Sequence, residues 1–232
     1  MRRRDVIGGA LATGLAASAV GAGARADEAH VKCVIVGDGA VGKTCSLISY
    51  TTNVFPHGSA PAGFDNYVAR VLRGDTVVHL GLWDTGGEAD YDRIRPLSYP
   101  GTDVFILAYS VISPSSFDNV AAKWVPELRS HSPATPILLA GYKTDLRDAA
   151  STRAGRVIAP ETGQALADAQ GLAAFRECSA LTQVGLAELF DAAGALGRGL
   201  DPDASGVLQH GIVRAPRRRW QPGDPPRRRP GG

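Results

Sequence analysis

Residues 37–44 read Gly-Asp-Gly-Ala-Val-Gly-Lys-Thr and follow directly on the apolar run 31–36. The eight residues match the pattern G-x-x-x-x-G-K-S/T, in which a strand ends in a glycine-rich turn that opens a helix. Such a turn points consecutive backbone N–H groups and the positive end of the helix at a polyphosphate. The stretch therefore predicts a phosphate-binding loop. The alternative is a glycine-rich strand–turn–helix without a ligand, which the complete pattern at this position disfavours.

Two side chains of this loop have separate predicted roles in binding. Lys43 would reach the β- and γ-phosphates, and the hydroxyl of Thr44 would ligate Mg²⁺. The loop residues that we expect to bind the nucleotide with them are Gly37, Asp38, Gly39, Ala40, Val41, Gly42 and Cys45.

Downstream of the loop, apolar runs typical of β-strands alternate with helical stretches. This alternation predicts an α/β fold of the P-loop NTPase kind, with a doubly wound, mostly parallel six-stranded sheet and helices on both faces. The predicted strands are 31–36, 67–72, 77–83, 103–110, 136–141 and 173–177, and the predicted helices are 43–50, 115–129, 160–170 and 186–196.

The charge of the chain is unevenly distributed. Residues 27–213 hold 14 Lys and Arg against 21 Asp and Glu, whereas the tail from Arg214 holds seven Arg against one Asp. An acidic body with a basic tail argues against a nucleic-acid-binding core. The three cysteines, Cys33, Cys45 and Cys178, lack metal-ligand spacing and are expected to be buried thiols.

The two ends of the chain differ in composition from the part between them. Residues 1–26 are rich in Arg, Ala and Gly, which is typical either of a signal-like leader or of a biased, disordered one. Residues 31–198 carry the βα periodicity of one folded domain. In residues 199–232 the periodicity stops and Pro, Gly and Arg dominate, so we predict disorder there.

Three further motifs follow predicted strands and indicate which base and which metal the site binds. Asp84 comes directly after the strand 77–83, where its carboxylate can hold Mg²⁺ through water, and the N–H of Gly87 can meet a γ-phosphate. Asp145 can accept hydrogen bonds from guanine N1–H and the 2-amino group, a donor pair that adenine lacks. The stem of Lys143 would lie along the base, and the segment Ser179, Ala180 and Leu181 would offer a backbone N–H to guanine O6. Together they predict a GTP/GDP site with Mg²⁺.

Longer stretches resemble the Rho/Rac family of Ras-superfamily small GTPases. The resemblance runs from Val31 to about Leu196, and it implies that 31–198 is a small-GTPase domain. It is carried by Lys-Cys-Val-Ile-Val-Gly-Asp-Gly-Ala-Val-Gly-Lys-Thr-Cys at 32–45, Phe-Asp-Asn-Tyr at 64–67, Gly-Leu-Trp-Asp-Thr at 81–85, Tyr-Asp-Arg-Ile-Arg-Pro-Leu-Ser-Tyr-Pro at 91–100 and Glu-Cys-Ser-Ala-Leu-Thr-Gln at 177–183.

The resemblance implies further functional residues and partners. Phe55 takes the position of a ring that packs edge-on against guanine, although a core phenylalanine is the competing interpretation. Exchange factors, GTPase-activating proteins and Rho-type effectors are the implied partners, and residues 148–159 resemble a shortened Rho insert. The implied effector surface consists of Phe64, Asp65, Asn66, Tyr67, Tyr91, Arg93 and Leu97.

The sequence departs from the family pattern at residues that carry the chemistry. Ala62 stands where the family has a threonine that ligates Mg²⁺, and Ser59 replaces a tyrosine that closes over the γ-phosphate. Glu88 replaces the glutamine that orients the attacking water, beside Gly87. We therefore expect nucleotide binding with weak GTP hydrolysis. The alternative is a pseudo-GTPase, an interaction module that engages Rho partners without cycling.

The tail departs from the family pattern as well. No cysteine follows Cys178, so the prenylation box of Rho proteins is expected to be missing. The arginine triplets 217–219 and 227–229 suit weak contact with an anionic membrane, with a solvated tail as the equal alternative and nucleic-acid binding less favoured. The expected location is the cytoplasm or the cytoplasmic face of a membrane, while the leader leaves export or organellar targeting open.

Overall fold

The computed structural model describes residues 27–57, 66–73, 76–147, 157–203 and 208–211, which fold around one sheet. The strands lie in the order β6-β5-β4-β1-β3-β2-β7; β6, β5, β4, β1 and β3 run parallel, and β2 pairs antiparallel with β3 and with β7. Their bounds are β1 Asp27–Val36, β2 Asn66–Arg73, β3 Thr76–Asp84, β4 Val104–Ser110, β5 Ile137–Tyr142, β6 Ala174–Cys178 and β7 Leu208–Gly211.

Helices cover both faces of the sheet, as the sequence predicts for a doubly wound fold. The helices are α1 Lys43–Thr52, α2 Pro114–Asn119, α3 Val125–His131, α4 Pro160–Ala169 and α5 Leu186–Leu196. Alternate residues of β1 belong to two separate hydrophobic cores. Cys33 and Ile35 lie in the core that α1 and α5 cover, and Val34 and Val36 lie in the core on the opposite face of the sheet. Every residue of β4 is buried, because this strand lies in the middle of the sheet and helices cover both faces of the sheet. The α/β P-loop NTPase fold is confirmed.

The strand order fixes where a ligand can bind. β1 pairs with β3 on one side and with β4 on the other, so the chain crosses over β1 between β3 and β4. In open α/β sheets the crevice outside the carboxyl ends of the strands at such a reversal is the usual binding site. The loop after β1 and the turns after β3, β5 and β6 all lie at this edge.

The helix predicted at 115–129 is present, but it is not one regular α-helix. It is divided into α2, a π-helical turn at Val120–Trp124 and α3, and the N–H of Val125 donates to the carbonyl of Val120, five residues back. Pro126 explains the division, since it lacks an N–H for the carbonyl four residues earlier and its ring crowds that carbonyl. Ser113 caps the start of α2 by accepting from the N–H of Ser116.

The sheet has one strand more than the six predicted. β7 pairs with the outer edge of β2, with Leu208 opposite Arg73 and Gly211 opposite Arg70. These four residues belong to the segment 199–232, for which the sequence predicts disorder. The open edge of β2 supplies the backbone partners, and that long-range pairing leaves no trace in the local composition of the tail.

Several predictions fall on residues that lie outside the described ranges. They concern the leader 1–26, Ser59 and Ala62, Phe64 and Asp65 of the predicted effector surface, most of the insert-like segment, and the tail arginines. In the described part of the chain, no helix combines the length and apolarity needed to cross a bilayer.

Two glycines inside helices predict opposite responses to alanine. A Cβ on Gly163 in α4 would lie 2.4 Å from Cζ of Phe175, whereas a Cβ on Gly194 in α5 would meet no atom within 4 Å. We expect Gly163→Ala to lower the free energy of unfolding by about 1–3 kcal/mol through overpacking. Gly194→Ala should raise it by up to about 1 kcal/mol, since alanine restricts the unfolded chain. Denaturant unfolding of both variants measures the difference, and equal effects would contradict the packing of α4.

Candidate nucleotide-binding site

The phosphate loop connects β1 to α1 directly above β4. Gly37 has a φ of +138°, and a Cβ there would lie 2.1 Å from the carbonyl oxygen of Ala108 in β4. Only glycine fits both the backbone conformation and this close approach. The loop is thereby held against the sheet where the sequence predicts a polyphosphate site.

Lys43 lies inside the loop with its ammonium group held by the backbone. Its Nζ donates to the carbonyl oxygens of Gly37 and Asp38, both at 2.7 Å. Burial lowers the pKa of Lys43 to about 8, and the carboxylates of Asp84 and Glu88 act in the opposite direction. A polyphosphate in the cavity would favour the charged form in the same way.

Thr44 and Asp84 place two hard oxygen ligands together. The hydroxyl of Thr44 donates to the Asp84 carboxylate at 2.6 Å, and the Asp84 side chain is buried at the end of β3. Mg²⁺ usually takes one or two protein oxygens and completes its shell with phosphate and water oxygens. Among the described residues no group of three or more His, Cys, Asp and Glu is placed to hold a metal. The pair therefore fits Mg²⁺ bound together with a nucleotide phosphate.

Gly87 and Glu88 lie against the phosphate loop. A Cβ on Gly87 would be 2.2 Å from the carbonyl oxygen of Gly37, so the two backbones touch. The carboxylate of Glu88 lies 3.0 Å from the position that a Cβ on Gly39 would take. The Glu88 carboxylate thus lies beside the phosphate loop, on the side where the sequence predicts the terminal phosphate of the nucleotide.

The turns after β5 and β6 form the other half of the site. Asp145 accepts a hydrogen bond from the hydroxyl of buried Ser179 at 2.5 Å. Lys143 has a φ of +66° and its Nζ donates to the carbonyl oxygen of Ala40 in the phosphate loop at 2.6 Å. The hydroxyl of Ser49 donates to the carbonyl of Ala180 at 2.6 Å. These bonds join the predicted base-reading turns to the loop and to α1.

One cavity of about 550 Å³ receives most of the predicted site residues. Its volume lies within the range of small-molecule sites. The predicted residues that line it are Ala40, Gly42, Lys43, Thr44, Cys45, Phe55, Asp84, Gly87, Glu88, Lys143, Asp145, Ala180 and Leu181. Thr85, Gly86, Tyr142 and Leu146 also line it, and the sequence-based prediction of the site does not include them.

Five predicted binding residues lie beside this cavity rather than along it. Gly37, Gly39 and Val41 are part of the phosphate loop. The Ser179 hydroxyl donates to the carboxylate of Asp145, which does line the cavity. Asp38 differs from the others, because its carboxylate accepts from the indole N–H of Trp124 and the amide of Asn119, each at 2.7 Å. These two donors are 86 and 81 residues away in the chain, so no local pattern could have indicated them.

Tyr142 occupies the first position of the Lys143–Asp145 turn and is fully enclosed. Its hydroxyl lies 3.3 Å from the hydroxyl of Ser46 in α1, and burial raises its pKa well above the ordinary value. The phenol therefore stays neutral and fills the space between β5 and the phosphate loop. Burial likewise raises the pKa values of the Cys33, Cys45 and Cys178 thiols. Cys33 and Cys178 are buried as predicted, whereas the prediction is wrong for Cys45, which is half-buried and lines the cavity.

The described part of the predicted effector surface lies in two places. Asn66 and Tyr67 begin β2, and Tyr67 pairs with Leu82 of β3. Tyr91 packs its ring on Gly86, Arg93 is exposed, and Leu97 is 63% exposed. Ile94, which was not predicted, is 46% exposed on the same segment, so this surface carries apolar groups open to solvent.

The site has the features of a P-loop nucleotide-binding protein. A phosphate loop follows the first strand, Thr44 and Asp84 place two oxygen ligands together, and the turn that carries the Asp145 carboxylate lies at the far end of the cavity. A sequence model of the Ras family matches residues 32–196, and the chain belongs to that family. It is therefore a small GTP-binding protein of signal transduction, a class whose members bind GTP and GDP with Mg²⁺ and act with exchange factors, GTPase-activating proteins and effectors.

Proposed function

We propose that the protein is a Rho/Rac-like member of this family that binds GTP and GDP with Mg²⁺ and hydrolyses GTP slowly. The observation that carries the proposal is that Lys43, Thr44 and Asp145 line the same cavity, with the phosphate loop at one end and the turn after β5 at the other. A nucleoside diphosphate or triphosphate is the ligand class whose phosphates and base would match these groups.

The subfamily is proposed from the Rho/Rac-type runs of the sequence. The segment 91–100 is one of these runs, and the structure describes it in full. Its exposed Arg93, Ile94 and Leu97 would contact exchange factors, GTPase-activating proteins and Rho-type effectors, together with Asn66 and Tyr67. A cytoplasmic protein with weak contact to anionic membranes through its tail arginines would suit these partners.

The direct experiment is to identify the nucleotide that copurifies with the protein. The purified chain is denatured and the released small molecules are separated by chromatography. We expect close to one mole of GDP or GTP per mole of protein, since Lys43 and the phosphate loop would retain the diphosphate or triphosphate group of the nucleotide. Release of adenine nucleotides would contradict the proposal.

A prediction for hydrolysis depends on Glu88 and Ala62. A carboxylate near the γ-phosphate repels its charge and lacks the amide donor, and a methyl group cannot ligate Mg²⁺. We expect the double variant Glu88→Gln with Ala62→Thr to hydrolyse GTP about tenfold or more faster than the unaltered chain in single-turnover measurements. Both changes are made together because water positioning and metal coordination act in one transition state.

The control for this prediction removes a neighbouring negative charge. Asp90 is exposed two residues after Glu88, so Asp90→Asn should leave the rate unchanged. A double variant that is no faster, or an unaltered chain that already hydrolyses GTP at the rate of ordinary Rho proteins, would show that these positions do not limit catalysis.

The second candidate function is a pseudo-GTPase that presents its surface to Rho partners without cycling. The position of the Glu88 carboxylate against the phosphate loop favours it, because that charge opposes a bound polyphosphate. This candidate predicts a folded protein without copurified nucleotide, whereas the slow GTPase predicts GDP or GTP in the released fraction.

A further inference from the structure

The phosphate loop is attached to the helices beside it through the side chain of Asp38. One carboxylate oxygen accepts from the indole N–H of Trp124 and the other from the amide of Asn119, both at 2.7 Å. Trp124 is fully buried, and Asp38 and Asn119 are half-buried. Hydrogen bonds to an ionised group in such surroundings are about twice as strong as neutral ones.

The same residue is held from two directions. Lys43 binds the backbone carbonyls of Gly37 and Asp38 on the inner side of the loop, while Trp124 and Asn119 bind the Asp38 side chain on the outer side. The first residue of α1, by contrast, is preceded by Gly42 and has no side-chain cap. The orientation of the loop N–H groups therefore depends on these contacts from both sides.

Trp124 is itself fixed by two cations. The guanidinium of Arg95 lies 4.5 Å and the ammonium of Lys123 lies 4.7 Å from the centre of its ring. Arg95 is fully buried and forms an ion pair with Glu127 at 3.5 Å and a second one with Asp92. Cation–π contacts of a desolvated cation are among the stronger examples of their kind. The indole is thus a rigid donor rather than a mobile one.

We propose that Trp124 and Asn119 are positioning residues of the phosphate site, which act through Asp38 to keep the loop in the shape that receives a polyphosphate. The inference rests on the proposed guanine-nucleotide function and adds to it residues that do not touch the nucleotide. It also assigns Asp38 a role different from direct nucleotide binding. Loss of either donor should loosen the phosphate half of the site and leave the base half intact.

The test compares two tryptophan-to-phenylalanine variants of the full chain. Trp124→Phe removes the N–H donor and keeps an aromatic ring for Arg95, whereas Trp83→Phe alters a half-buried tryptophan of β3 that also has a lysine, Lys32, over its ring. The dissociation rate of fluorescently labelled GDP is measured with Mg²⁺ at a temperature where circular dichroism shows each variant folded. Trp124→Phe should raise the rate about tenfold, the value of one hydrogen bond to a charged group, and Trp83→Phe should not change it.

A second readout separates positioning from a general loss of stability. The ratio of GDP affinity to GMP affinity reports the β-phosphate, and it should fall about tenfold in Trp124→Phe and in Asn119→Ala. In an Asp38→Ala background, which lacks the acceptor of both bonds, Asn119→Ala should cause little further loss of the ratio. If Trp124→Phe does not fold, Asn119→Ala in the unaltered chain and in this background gives the same comparison.

The outcomes separate this inference from the proposed function. Unchanged dissociation rates and GDP-to-GMP ratios in folded variants of a chain that binds GDP would overturn the positioning role alone. A folded, unaltered chain that binds no guanine nucleotide would overturn the proposed function, and the positioning role with it.

Discussion

Replacing Lys43 with alanine is expected to weaken GDP and GTP binding by at least about a hundredfold. The ammonium group is buried in the loop and already bound to two backbone carbonyls at 2.7 Å, so the variant loses both the phosphate partner and the contact that shapes the loop. Loss of a buried charge–charge contact of this kind costs several kcal/mol. Calorimetric titration with each nucleotide in Mg²⁺ measures the change.

Thr44 provides the matched comparison for the metal at the same end of the cavity. Thr44→Asn removes the hydroxyl that lies 2.6 Å from Asp84 and should weaken Mg²⁺-dependent GTP binding strongly. Thr44→Ser keeps the oxygen ligand and should retain most of the affinity. Lys43→Ala and Thr44→Asn variants that bind GTP as tightly as the unaltered chain would show that the loop has only a structural role.

The second large effect is expected at the opposite end of the cavity. Asp145→Asn should lower GTP affinity by about a hundredfold or more, because an amide cannot accept from both guanine donors and leaves one of them unpaired. The same amide suits the carbonyl at C2 of xanthine, so xanthosine triphosphate should bind the variant better than GTP does. Competition of the two nucleotides for the variant measures this reversal.

An exposed aspartate supplies the control for this prediction. Asp168 lies on the surface of α4, where its carboxylate accepts from Gln164, and it is not part of the cavity. Asp168→Asn removes the same charge and should leave the preference for GTP unchanged. If Asp145→Asn kept that preference, the turn after β5 would not read the base.

The sequence predicts the fold and the cavity well because both depend on local patterns. The strands around the site are continuous apolar runs, since the central strands are buried on both faces, and each functional turn follows one of them directly. The phosphate loop itself is a contiguous motif. Position in the chain was therefore enough to bring Lys43, Thr44, Asp84 and Asp145 to one edge of the sheet.

The differences arise where distant residues decide the structure. β7 depends on the free edge of β2, and the role of Asp38 depends on two donors more than 80 residues away. The division of the helix at Val120–Trp124 did have a local signal, Pro126, which interrupts an otherwise regular helical pattern. Tyr142 lines the cavity from the end of β5, and no sequence motif predicts it as a site residue.

The most direct test of the guanine-nucleotide site is a calorimetric titration of the nucleotide-free protein with GDP and with ADP, both in Mg²⁺. The two ligands share the diphosphate that Lys43 would bind and differ only in the base that Asp145 would read. The expected result is that GDP binds at least about a hundredfold more tightly than ADP. Equal affinities, or a folded protein that binds neither ligand, would contradict it.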